Sequence, residues 1–113
     1  MAFVIKALGA GTRTVTGSAD LYTVPDAKSA MVTSVRLANG SATIIPTVNL
    51  YVKPSGAATA RRIAKKDHTL ALGSALVLED VLTLGQGDKV QLNLSGGLGP
   101  PEVGYMVNGV ERE

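Results

Sequence analysis

Apolar residues in this chain recur at every second position rather than every third or fourth, and that spacing commits it to strands. Met31, Thr33, Val35 and Leu37 alternate with Val32, Ser34 and Arg36, and Val48, Leu50 and Val52 alternate with Thr47, Asn49 and Tyr51. Val90, Leu92 and Leu94 are spaced by Gln91 and Asn93, and Val103, Tyr105 and Val107 by Gly104 and Met106. Successive side chains of a strand point to opposite faces, so each of these segments is half-buried. Thirteen Val, ten Thr and four Ile make about a quarter of the chain β-branched, which suits a pleated surface and disfavours helix.

Turn residues punctuate the pattern at short intervals: Pro25-Asp26, Asn39-Gly40, Pro54-Ser55-Gly56, Gly73-Ser74, Gly85-Gln86-Gly87-Asp88 and the run from Ser95 to Pro101. Between them the sequence predicts strands at 3–8, 12–16, 20–24, 29–38, 43–53, 60–65, 75–84 (open to division into two short pieces), 88–95 and 102–110. Ala57, Ala58, Ala60 and Ala64 mark the one stretch where a helical turn could intrude. At 113 residues the chain makes one domain. The expected fold is all-β, a single antiparallel β-sandwich of jelly-roll type with eight or nine short strands. Residues 20–113 form the sandwich, and residues 1–19 an N-terminal arm or first strands.

Several glycines acquire local roles in this reading. Asn39-Gly40 is expected to be a tight type I′ hairpin turn between strands 29–38 and 43–53, and Asn108-Gly109 a bulge near the end of the last strand. Gly9-Ala10-Gly11 lacks the third glycine of a dinucleotide fingerprint, and no Gly-Lys-Ser/Thr follows, so these glycines are read as joints that loosen the arm. Asn39-Gly40-Ser41 and Asn93-Leu94-Ser95 match the N-glycosylation acceptor pattern. No export signal accompanies them, because Lys6 breaks the first apolar run far short of a signal-peptide core, and both are read as chance.

Catalytic and metal chemistry find no foothold in the composition. Zero cysteines exclude disulfides, thiolate metal sites and a Cys nucleophile. The single histidine, His68, is joined by no G-x-S-x-G elbow and reads as a loop or strand-edge residue. Glu79 and Asp80 are neighbours on a strand and so point to opposite faces. No cofactor, metal or catalytic residue is therefore assigned, and the protein is expected not to be an enzyme. A carbohydrate-binding module would need exposed aromatic platforms. The chain has no Trp and three Tyr, so Tyr22 and Tyr51 would have to lie exposed and coplanar. The longest charge-free stretch, residues 37–52, is interrupted by Asn39, Gly40, Pro46 and Asn49, and no membrane span is expected.

Charge is unevenly spread beneath a net +2. Residues 53–68 hold Lys53, Arg61, Arg62, Lys65 and Lys66 against Asp67, whereas the remainder of the chain to its end is acidic. No aromatic residue interleaves this basic block, as nucleic-acid stacking would require, so an acidic protein neighbour fits it better than a phosphate backbone. Arg61, Arg62, Lys65 and Lys66 are the candidate contact residues there. A second candidate contact is the apolar start of the arm, where Phe3, Val4 and Ile5 would be the anchors. Such a strand either pairs with its own sheet or adds to the edge of a neighbouring subunit, and the second outlet is the one expected here.

The run Leu21-Tyr22-Thr23-Val24-Pro25, the strand Met31 to Asn39, Val48 to Val52, Leu82 to Asp88 with its Gly-Asp turn, and the closing Gly109-Val110-Glu111 together cover residues 20–112. In these segments the chain resembles small β-sandwich structural proteins of tailed bacteriophage virions. That resemblance implies a virion protein made in the host cytoplasm, assembled as a homo-oligomer or with the major capsid protein or other virion proteins. It implies neither nucleic acid nor membrane as partner. Capsid decoration (cement) is the leading role, with a neck, tail or baseplate component as the alternative.

Overall fold

The computed structural model describes residues 3–41, 43–56, 59–64, 66–79, 81–96 and 101–112, with residues 3–7 described by their backbone alone. The described residues contain β1 Phe3–Arg13, β2 Gly17–Thr23, β3 Ser29–Asn39, β4 Thr47–Lys53, β5 Arg61–Arg62, β6 His68–Thr69, β7 Ala75–Leu78, β8 Leu82–Leu84, β9 Lys89–Ser95 and β10 Val103–Arg112. None of them is helical. One antiparallel sheet, sheet A, runs β1-β10-β3, with β7 and β8 both on the far side of β3. The other, sheet B, runs β2-β9-β4, with β5 and β6 both on the far side of β4.

Each of those outer pairs is one edge strand broken in the middle. β7 opposes Val35 to Ala38 and β8 opposes Ala30 to Val32, while β5 opposes Tyr51 and Val52 and β6 opposes Thr47 and Val48. Counted by position along the chain, the sheets then have the orders 1-8-3-6 and 2-7-4-5. Every connection except β4 to β5 crosses from one sheet to the other. That wiring is the jelly roll, and the fold is an all-β sandwich as the residue pattern predicted.

The core lies between the sheets and is built from Val and Leu: Val35, Leu37, Val48, Leu50, Val90, Leu92, Leu94, Val103 and Val107 are at most 1% exposed. The period-2 pattern holds in β4, β9 and β10, but it changes phase in β3. Val32 is fully buried while Met31 is 46% exposed. The cause is a bulge, since Asn108 of β10 pairs with Ser34 and Gly109 with Val32, leaving Thr33 as the extra residue. The bulge predicted at Asn108-Gly109 is thus present, with its surplus residue on the partner strand. Gly109 allows it: a Cβ there would collide with the Met31 carbonyl oxygen.

β1 departs from expectation. It continues through Gly9-Ala10-Gly11 to Arg13 as one strand, and the turn falls at residues 14–16 where a second strand was predicted. The glycines do not loosen it. A Cβ on Gly9 would run into the Leu21 carbonyl oxygen, so its bare backbone is what lets β1 touch β2, with Leu8 and Leu21 as the surplus residues where both registers shift. Phe3, Val4 and Ile5 pair through their backbones with Arg112, Glu111 and Val110 of the same chain. The arm therefore pairs within its own chain, where β10 offers it a register of ten paired residues.

Asn39-Gly40 is not a hairpin turn either. β3 and β4 belong to different sheets, and Gly40 does not adopt the positive φ that a type I′ turn demands. Asn39 is instead 3% exposed and works through its side chain. Its Nδ2 donates to the carbonyls of Ile44 and Leu70, both at 2.9 Å, and its Oδ1 accepts from the Ser41 amide at 2.9 Å. Its own amide donates to the Ser74 carbonyl, and its carbonyl accepts from Gly73. This burial also removes Asn39 as a glycosylation acceptor. The predicted strand 43–53 begins only at Thr47, because residues 43–46 are spent on the crossing that Asn39 holds.

Asn39→Ala removes a buried bond to the Leu70 carbonyl and part-buried bonds to the Ile44 carbonyl and the Ser41 amide, and a buried group left unsatisfied costs about 1–3 kcal/mol. The denaturant midpoint is expected to fall by the equivalent of about 2–4 kcal/mol with the m-value unchanged. A chain beginning at Ser18 uncovers the whole β10 edge and is expected to lose its cooperative thermal transition, which calorimetry would record.

Candidate functional site

The two broad outer faces of the sandwich have opposite character. On sheet B, cross-strand register aligns Tyr51, Gln91 and Asp20 in one row, Asn49, Asn93 and Ser18 in the next, and Lys53, Lys89 and Thr23 in a third. These polar groups bond one another. Gln91 Nε2 and Lys89 Nζ donate to the two carboxylate oxygens of Asp20 at 2.8 and 3.1 Å, and Asn93 Nδ2 donates to Ser18 Oγ at 3.0 Å. The Gln91 hydrogen bond is the largest influence on Asp20; burial opposes it, and the hydrogen bond and charge of Lys89 add to it, so that Asp20 stays below its ordinary carboxylate pKa.

Sheet A shows solvent a different surface. Met31, Val77 and Met106 are 46%, 46% and 42% exposed; Ala10, Thr12, Ala38, Ala75 and Gly104 lie around Val77 and Met106, and the hydrogen-bonded Asn108–Ser34 pair separates these from Met31. Arg36 is the charged residue in the middle of this face. Three shallow hollows indent it, of about 260, 360 and 240 Å³. A sheet face that leaves large apolar side chains in water is the form that protein contact surfaces take.

The basic block sits along the β5 edge of sheet B. Arg61, Arg62 and Lys66 are exposed, and Lys65 lies outside the described residues. Arg62 is not loosely solvated: its guanidinium lies 5.5 Å from the Tyr51 ring centroid, its Nε donates to Asn49 Oδ1 at 3.3 Å, and its Nη2 donates to Tyr51 Oη at 3.4 Å. No aromatic neighbours it in sequence. The Tyr51–Arg62 register supplies one from the adjacent strand. Asn49, 6% exposed, also accepts the Asp67 amide at 2.9 Å and donates to Asp67 Oδ1 at 3.0 Å, which holds Asp67 at its φ of 52° and fills the break between β5 and β6.

A buried acid joins the sheets. Glu111 of β10 is 5% exposed, accepts a hydrogen bond from Tyr22 Oη of β2 at 3.1 Å, and has Lys28 Nζ 3.6 Å from its second oxygen. Burial first, then the Glu111 hydrogen bond and negative charge, hold the Tyr22 hydroxyl well above its ordinary pKa. Glu111 entered the sequence reading only within the closing Gly109-Val110-Glu111 stretch, with no role given to its side chain. Tyr22, 7% exposed, cannot serve with Tyr51 as a sugar platform. His68 is half-buried on the short β6, Glu79 is exposed, and Asp80 lies outside the described residues. Among the described residues, no three His, Asp or Glu gather as a metal site.

No protein-family model matches the chain, and no curated protein does. Solved structures do match. The infectious bursal disease virus VP2 subviral particle aligns with a TM-score of 0.54 at 12% identity, over 97% of this chain and 31% of that chain. The Gt strain of infectious bursal disease virus aligns with a TM-score of 0.50 at 11% identity, over 97% and 32%. The likeness is one of fold, and this chain spans about a third of the length of those it matches.

Tyr22 and Glu111 generate a pH dependence. A free tyrosine ionises near pH ~10, whereas the folded Tyr22 keeps its proton beyond that point. The native state then binds more protons than the unfolded chain, so this contribution is complete below pH ~10 and is lost as pH rises above it. Urea midpoints are expected to decline as pH rises above about 10, and Tyr22→Phe to flatten that decline while lowering stability at neutral pH by about 1–3 kcal/mol.

Proposed function

We propose that the chain is a non-enzymatic structural protein of a virion, and specifically a capsid decoration protein that binds and stabilises the head of a tailed bacteriophage. The observation that carries this reading is a jelly-roll sandwich whose two broad faces differ, one a network of bonded polar side chains and the other exposing Met106 and Val77 beside Ala and Gly. A protein that acts by occupying a place between neighbours needs a rigid body and unlike surfaces, and it needs no reaction centre. The sandwich recurs in chains from a virus and from a subviral particle, and the segments from Leu21 to Glu111 resemble phage virion sandwiches.

Attachment to the shell is assigned to the basic edge. Arg61 and Lys66 are exposed there beside the stacked Arg62, and Lys65 belongs to the same block by sequence. Each exposed ion pair is worth about 0–1 kcal/mol, so attachment must draw on several together. A surface of that kind weakens as salt screens it.

Purified particles test the proposal. On a gel of virions, the protein is expected at a copy number comparable to that of the major capsid protein. A small fraction of that number would place it in the neck, tail or baseplate and overturn the decoration role, and absence from particles would overturn the virion assignment. Particles are further expected to release the protein as salt rises, and to bind poorly a variant with Arg61, Arg62, Lys65 and Lys66 all changed to Gln. Retention insensitive to both changes would remove the basic edge as the contact.

A further inference from the structure

We infer that the outer face of sheet A docks onto the same face of a second copy of this chain, about a twofold axis. Two neighbouring rows of side chains cross this face. Met106, Arg36 and Val77 lie abreast on β10, β3 and β7, and beside them, two residues along each strand, lie Gly104, Ala38 and Ala75. The first row is a ridge of long side chains and the second a trough. The hollows of about 360 and about 240 Å³ meet at this trough, both lined by Thr12, Arg36, Ala38 and Gly104.

A ridge next to a trough of the same length is complementary to itself. A twofold axis running across the strands between the two rows lays each copy's ridge in the other's trough, so that Met106 meets Gly104, Arg36 meets Ala38 and Val77 meets Ala75. This is the isologous arrangement that closes as a dimer. It also satisfies two charges. Among the described residues, neither the Arg36 nor the Glu102 side chain makes an ion pair or hydrogen bond, although both line the hollow of about 240 Å³. The Glu102 carboxylate lies over Gly40, with Oε1 3.6 Å from where a Cβ would stand, and Gly40 follows Ala38 on the same face of the chain. An Arg36 delivered onto the partner's Ala38 therefore arrives beside the partner's Glu102, and the pair forms twice.

Area sets the expected strength. Four strands at about 4.8 Å spacing, overlapping for about four rows along the strands, give about 500 Å² per copy. About 1,000 Å² in total is the lower bound for a specific interface, and it suits a weak dimer that dissociates on dilution. The edges are less available: β7 with β8 and β5 with β6 are broken strands, and β1 is bulged at Leu8 where it touches β2.

Sedimentation equilibrium of the purified full chain is the test, and it needs no virion, so its outcome is separate from that of the shell assignment. The expected mass is twice 11.6 kDa at concentrations near about 100 μM, dissociating on dilution. Arg36→Glu and Glu102→Arg should each weaken dimerisation at least about tenfold, and the two changes combined in one chain should restore it. Ala38→Arg, which fills the trough, should give a monomer with the far-UV circular dichroism of the parent and the melting of the parent diluted to monomer. A monomeric parent at about 100 μM, or a dimer indifferent to Ala38→Arg and to both charge changes, would overturn the inference.

Discussion

One buried amide closes the end of the sandwich where a hairpin cannot. Because the chain changes sheet at nearly every connection, the residues joining β3 to β4 have no ladder to satisfy their backbone groups, and unpaired groups there would cost more than any surface contact returns. Asn39 resolves this with all of its polar atoms. Its side chain binds the crossing at Ser41 and Ile44 and the entry to the far edge at Leu70, while its backbone binds Gly73 and Ser74. Gly40 and Ser41 then bond both backbone groups of Glu102, so the start of β10 is fixed to the same corner. The opposite end uses Asp88 in a comparable way, since its carboxylate accepts from Gly85 and Ser55 and its backbone pairs with Val24.

The strands with an unbroken ladder were legible from sequence because burial on one face and water on the other write the period directly. β9 is the plainest case: Val90, Leu92 and Leu94 face inward, while Gln91 and Asn93 bond across the outer face. What was illegible arises where a side chain replaces a ladder or a surplus residue shifts it. The phase change at Thr33 depends on the close pass of Gly109 against Met31, a contact separated by nearly eighty residues of chain. Asn39 and Asn49 read as ordinary turn and strand-surface residues, since nothing local distinguishes an asparagine that bonds a distant backbone from one that bonds water.

The candidate surfaces were legible to a smaller degree. The basic block was visible as charge, but its stacking partner Tyr51 belongs to the neighbouring strand and comes only with the register. The apolar face of sheet A was hidden by composition itself. Its members are mostly Ala, Gly, Thr and single Met or Val residues on four different strands, each unremarkable where it stands in sequence. Contrast between the faces arises only when pairing sets Met106 beside Arg36 and Val77, and Gln91 beside Asp20 and Tyr51.

Broken edges and unlike faces are two parts of one solution to a problem every open sandwich has. A sheet with a long free edge invites pairing with any other chain, and natural sheets blunt such edges by shortening, bulging or charging them. Here β5 is two arginines, β5 is separated from β6 and β7 from β8 along both far edges, and β1 meets β2 at Gly9 and Leu21 on the near side. With the edges withdrawn, association is directed to side chains, which carry sequence-specific shape and charge, rather than to main-chain groups, which any strand could satisfy. Under the virion role proposed above that restriction matters most, because one wrong edge pairing would propagate through the assembly.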